Sequence, residues 1–175
     1  MSTARIDEIF EYNAAVREEL RAVVEGISAE QEFAVPEGEA TWSAAQILEH
    51  LSLTEEGMGK ICSMLLRAST PDEGKDADYS DGFIERAIRF DKVKVKTPPT
   101  GEPTGAITAA DSLRKMDSNR AKLETKRHRF KENDPCSASF PHPYLGEMTA
   151  LEWLALIGMH EKRHLKQLKE LLARL

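Results

Sequence analysis

Apolar positions recur at steps of three and four along four long stretches of the chain, and each stretch reads as an amphipathic helix. The first runs from about Ala4 to Ile27, with Ile6, Ile9, Phe10, Val16, Leu20, Val23 and Val24 on one face. The second opens at Ser43, where Ser43 and Gln46 fit a capping box, and carries Ile47, Leu51, Met58, Ile61 and Leu65 as far as about Arg67. The third lies between about Thr108 and Lys131 and has the thinnest stripe, Leu113, Met116, Leu123 and Phe130. The fourth starts at Thr149, again with a capping-box partner at Glu152, and continues to Leu175.

The connections set the topology. Segments of about fifteen residues join the first helix to the second and, from Asn133 to Met148, the third to the fourth, whereas about forty residues separate the second from the third. Within that long connection Asp81 to Phe90 reads as a short helix. KVKVKTPPTGEPTG (92–105) then alternates briefly like a strand before breaking into prolines and glycines. A connection of such length can travel along a whole bundle, so the second and third helices are expected to run parallel. No repeat or low-complexity stretch suggests a second unit. The predicted architecture is all-α: one domain over residues 1–175, a four-helix bundle with one long crossover between its second and third helices.

Composition agrees with a globular chain and removes some functions. Of the 175 residues 41% are hydrophobic and 31% charged, which suits a packed core better than disorder. No apolar run approaches the ~20 residues that span a bilayer, so no membrane partner is expected. The N-terminal MSTARIDEIFEYN lacks the apolar core of a signal peptide, and the expected location is the cytoplasm. A net charge of -6 disfavours binding of nucleic acid, which relies on Lys and Arg against phosphates. The one basic run, Lys126 to Arg129, reads as a helix C-terminus whose cations complement the macrodipole. Cys62 and Cys136 form no disulfide framework. Cys62 reads as a small core residue, and Cys136 as an exposed thiol with no base beside it.

The histidines carry the chemistry. On the fourth helix Trp153, Ile157, His160, His164, Leu168 and Leu171 share one face, so two imidazoles at i, i+4 interrupt the apolar stripe. His50 borders the inward face of the second helix. A bundle core must satisfy each polar ring, and one metal ion satisfies all three while leaving open coordination positions. If the second and fourth helices are antiparallel neighbours, His50 must meet the middle or later part of the fourth. His142 reads as loop structure before that helix and His128 as solvated.

His160-Glu161-Lys162-Arg163-His164 also satisfies H-E-x-x-H, the helical zinc motif of metalloproteases. Those enzymes take their third ligand downstream of the motif. Here no Gly or third His follows, and Glu170, the one later acid, falls on the far side of the helix. The third ligand must come from upstream, and His50 is the best-placed candidate. Glu161 would be the general base in a peptidase-like reading. Helical geometry puts it at the edge of the site, about 60° round from His164, so it reads rather as an exposed or supporting residue.

Several short motifs, in order, resemble one family. Trp42-Ser43-Ala44-Ala45-Gln46-Ile47-Leu48-Glu49-His50-Leu51 is similar to the second-helix signature of the DinB-like superfamily, which includes the YfiT-type metal-dependent hydrolases. Glu152-Trp153-Leu154 with His160-Glu161-Lys162-Arg163-His164-Leu165-Lys166-Gln167-Leu168 resembles its fourth-helix signature, and His142-Pro143-Tyr144-Leu145-Gly146 the loop leading into it. The resemblance implies a four-helix bundle with a long crossover and a divalent ion, nickel or zinc, held by His50, His160 and His164. It also implies a homodimer, and thiol S-transferase activity with a low-molecular-weight thiol cosubstrate as one family chemistry.

Two functions follow as expectations. The first is an enzyme acting on a small-molecule substrate, a hydrolase or thiol S-transferase, in which the metal polarises a substrate atom or activates a nucleophile at neutral pH. The second is a non-catalytic helical module whose metal staples the bundle, at a dimer interface for instance. A cavity beside the ion favours the enzyme, and a fourth protein ligand favours the staple.

Overall fold

The structure is a computed structural model, and it describes residues 4–72, 76–93 and 96–175. Four long helices form the bundle: α1 (Ala4–Glu25), α3 (Ala44–Ala68), α5 (Ala109–Glu124) and α7 (Ala150–Leu172). Shorter elements decorate the connections: α2 (Ala29–Glu32), α4 (Phe83–Asp91), a 3₁₀ turn at Pro99–Gly101, α6 (Arg127–Glu132) and the strands β1 (Ser139–His142) and β2 (Gly146–Thr149). The strand-like alternation at 92–97 falls partly on residues 94 and 95, which lie outside the described ones.

Side-chain pairs fix the directions. Arg120 meets Glu55 and Lys126 meets Ser63, so α3 and α5 run parallel, as the long crossover requires. Asn13 meets Leu154 and Arg17 meets Glu161, which makes α1 and α7 parallel as well. Cys62 lies against Ala150 at one end while His50 approaches His160 further along, so α3 and α7 are antiparallel neighbours. Each of α1 and α3 therefore packs between α7 and α5, diagonal to the other.

The caps read from sequence are all made. Ser43 Oγ accepts from Gln46 N at 3.3 Å, and Ser43 N donates to Gln46 Oε1 at 3.0 Å. Thr149 and Glu152 close a second box at the head of α7. Glu152 does more than cap: its other oxygen accepts from the Ser80 backbone and hydroxyl, docking the start of the crossover onto α7. The helix expected from Thr108 to Lys131 divides into α5 and α6. Near Thr125 and Lys126 the chain tightens, with the Lys126 amide reaching back only to Leu123 O and the Thr125 hydroxyl bonding Lys122 O.

Two elements have no counterpart in the hydrophobic pattern. A capping box at Ser28 and Gln31 starts the single turn of α2. The β1–β2 hairpin pairs Ser139 with Thr149 and His142 with Gly146. Its three-residue loop returns through Gly146 at φ 76°, a conformation that glycine adopts without cost. With only four residues per strand, mostly exposed, the hairpin has no periodicity to reveal it.

The core has two apolar halves. Ile6, Phe10, Cys62, Leu65, Phe130 and Leu151 belong to one, and Leu20, Ile47, Leu51, Met116, Leu165 and Leu168 to the other. Each long helix crosses from one half to the other through a polar position: Arg17, Glu55, Arg120 and Glu161.

Candidate metal centre

His50 stands one and a half turns into α3, and His160 and His164 occupy successive turns of α7. The antiparallel packing of these helices brings the three rings to one place. Their ligand atoms lie within 4.8 Å of one another. His50 Nε2 is 3.3 Å from His160 Nε2, and His164 Nε2 is 3.1 Å from the same atom. Two neighbouring nitrogens bound to one ion at about 2.0–2.1 Å would be about 2.8–3.0 Å apart in octahedral and about 3.3–3.4 Å apart in tetrahedral geometry. The spacing fits a shared ion.

The other ring nitrogens show which tautomers are present. His50 Nδ1 donates to Gly101 O at 2.7 Å, and His164 Nδ1 to Gln167 Oε1 at 2.8 Å. Both Nε2 atoms are therefore lone-pair acceptors. His160 has one Nε2 proton at most and cannot donate to both. Acceptor lone pairs facing one another at such distances are stabilised by a cation at their centre, so the donor set itself fits a divalent metal. Nickel and zinc both accept imidazole nitrogen.

Electrostatics keep the rings neutral, the form that binds metal. Burial lowers the pKa of His50. Burial, reinforced by the neighbouring His164 and His50, carries His160 well below the usual histidine value. His164 is pushed down to about 3, chiefly by burial and then by His50. The indole of Trp42 forms one wall, its ring centre 4.8 Å from that of His50.

The crossover supplies the roof. Gly101 lies so close to α3 that a Cβ there would come 3.0 Å from Thr54 Cγ2 and 3.6 Å from His50 Cε1. Next to His50, the buried Glu49 accepts from Thr104 Oγ1 and Gly105 N, each at 2.8 Å. Burial alone would raise the Glu49 carboxyl; the hydrogen bonds from Thr104 and Gly105 outweigh it and hold it below its ordinary value.

Glu161 is placed elsewhere. It is only 1% exposed, and it faces α1 and α5 instead of the histidines. Arg17 Nε donates to its Oε1 at 2.7 Å and Arg120 Nη2 to its Oε2 at 2.8 Å. Both guanidinium groups also bind Glu55. Both oxygens of the Glu161 carboxylate are engaged by guanidinium groups, away from the three rings, so the geometry gives Glu161 a structural task.

Of the remaining candidates, His142 Nδ1 accepts from the amides of Tyr144 and Leu145 and so closes the hairpin turn. His128 is exposed. Cys62 is buried, which pushes its thiol up to about 12. Cys136 is half-buried, contrary to the exposed thiol expected; burial pushes it up to about 11. Sequence reasoning missed the orienting groups Gly101 and Gln167. Gln167 follows His164 at i+3, a spacing that could have exposed it; the carbonyl of Gly101 left no signal.

The family profile of the DinB superfamily matches residues 12–168. The chain belongs to the DinB superfamily. It is 30% identical over 152 residues to YuaE of Bacillus subtilis (strain 168), described as an uncharacterized protein, with 85% of this chain and 87% of that one covered. Two solved structures share the fold. TT2238, described as a four-helix bundle protein, aligns with a TM-score of 0.62 and 24% identity over 93% of this chain and 96% of its own. YfiT from Bacillus subtilis, described as a probable metal-dependent hydrolase with an unusual four-helix bundle topology, aligns with a TM-score of 0.62 and 19% identity, covering 99% of this chain and 89% of its own.

Proposed function

We propose that this member of the superfamily is an enzyme that uses a divalent ion, nickel or zinc, held by His50, His160 and His164 to act on a small molecule by hydrolysis or by transfer to a low-molecular-weight thiol. The observation that carries the reading is the convergence of three Nε2 atoms at 3.1 and 3.3 Å, with two of the rings locked through Nδ1 to Gly101 and Gln167. Bound there, the ion supplies Lewis acidity toward a substrate atom or an attacking water or thiol.

Two features favour an enzyme over a structural staple. Among the described residues no fourth His, Cys, Asp or Glu joins the cluster, which leaves coordination positions for exogenous ligands. A groove of about 530 Å³, lined in part by Phe90, Leu156, Met159, Arg163 and Lys166, borders the cluster along α7 and touches His160 alone of the three rings. That volume suits a small molecule with apolar and charged parts. The description of YfiT as a probable metal-dependent hydrolase points the same way. The reading assigns no role to nucleic acid or membrane; no helix among the described residues is long and apolar enough to cross one. A homodimer in the cytoplasm is the assembly and place we propose.

Cobalt(II) substitution tests the open positions. Adding a small thiol or azide to the cobalt-loaded protein is expected to change its visible absorption, and His164→Ala is expected to lose that spectrum. A cobalt spectrum indifferent to both ligands would make the metal a closed staple.

A further inference from the structure

We infer that Glu49 is a positioning residue: by clipping the crossover to α3 it holds the Gly101 carbonyl against His50 and so sets which ring nitrogen of His50 carries the proton. The carboxylate is 1% exposed and borders the metal centre without entering it. Its two oxygens are taken by two donors of the crossover, Thr104 Oγ1 and Gly105 N, both at 2.8 Å. Gly105 adopts φ 75° and packs on Gln46, so the strap meets α3 at consecutive turns. Between the clip and the 3₁₀ turn at Pro99–Gly101 lie only Glu102 and Pro103, and the ring of Pro103 stiffens that link. Gly101 itself is buried, and its amide closes on Pro98 O at 2.9 Å.

The consequence lies on the chain from packing to chemistry. Gly101 O accepts from His50 Nδ1 at 2.7 Å, and this bond keeps the lone pair on Nε2, the atom that faces His160. Should the strap lift, His50 could hold its proton on either nitrogen and rotate about its terminal torsion. Partners that orient a ligating histidine typically contribute 10–100-fold to metal affinity. Glu49 lies one bond network further out than such a partner and acts through the carbonyl it positions.

The inference rests on the metal-centre reading, and the test separates the two. In metal-free protein, ring ¹⁵N chemical shifts of His50 report its tautomer without any metal. We expect the Nδ1–H form to dominate in the native chain and to give way to a mixture in Glu49→Gln, whose amide cannot accept from both strap donors. Thr104→Val, which removes one donor and leaves the carboxylate intact, is expected to move the shifts in the same direction and provides the test should Glu49→Gln fail to fold. Nickel affinity measured against a chelating dye at pH 8 is expected to fall about tenfold in Glu49→Gln. His50 shifts identical in the native chain and both variants would overturn the inference, as would shifts that move while nickel affinity stays at the native value. A native chain that binds neither nickel nor zinc would overturn the metal-centre reading and the affinity part of the inference together, whereas the tautomer comparison would still decide whether Glu49 orients His50.

Discussion

At the scale of single residues, Glu161 separates two readings of one motif. H-E-x-x-H suggests a base beside two ligands, whereas the side chain turns to α1 and α5 and lies between Arg17 and Arg120. The histidines were legible because one helix carries two of them at i, i+4 and a single-helix projection settles their face. The partners of Glu161 come from α1 and α5, and no projection of α7 alone contains them. Burial makes this network costly to break. Glu161→Gln leaves the buried Arg17 and the partly buried Arg120 short of charge, and it is expected to lower stability by about 3 kcal/mol. Urea unfolding would show a lower midpoint, while nickel affinity of the folded variant stays near native. Native stability with lost nickel binding would instead put Glu161 in the site.

At the scale of elements, the contact of α1 with α7 depends on a glycine. Asn13 Nδ2 donates to Leu154 O at 2.9 Å, and a Cβ at Gly158 would sit 2.0 Å from Asn13 Oδ1. Gly158→Ala must therefore displace Asn13 or part the helices, at about 1–3 kcal/mol by comparison with other overpacked cores. Asn13→Ala removes the obstacle, so the double variant is expected to be more stable than the sum of the single changes predicts. Strict additivity in thermal melts would contradict this packing. The long helices and their caps were legible since each owes its pattern to its own sequence. The β1–β2 hairpin, the break after Glu124 and the strap on His50 were not, because they depend on turns and on long-range backbone partners that leave no period.

At the scale of the whole molecule, four helices each place a charged residue at the level where the two apolar halves meet, and the three-histidine cluster sits on the α3–α7 side of the bundle. That common level was hidden in the sequence. Arg17, Glu55, Arg120 and Glu161 interrupt separate stripes, and only the parallel and antiparallel pairings align them. The buried histidines also make stability depend on pH. Each of His50, His160 and His164 has a lower pKa folded than unfolded, so the unfolded chain binds more protons at mild acidity. The stability they allow is fully present above about pH 6.5 and fades as pH falls toward about 3, the value to which His164 is pushed. Unfolding free energy in metal-free protein is expected to decline from about pH 6.5, before the paired carboxylates titrate, and to decline less in His164→Ala. A flat profile down to about pH 5 would contradict buried neutral rings. The central claim is that these three rings hold a metal in the native state, and the melting temperature of stripped protein at pH 8 tests it most directly. Nickel or zinc at a hundred times its dissociation constant stabilises folding by about 2.7 kcal/mol, which should raise the melting temperature by several degrees. The rise should vanish with chelator and in His164→Ala; a melting temperature indifferent to nickel, zinc and chelator would contradict the account.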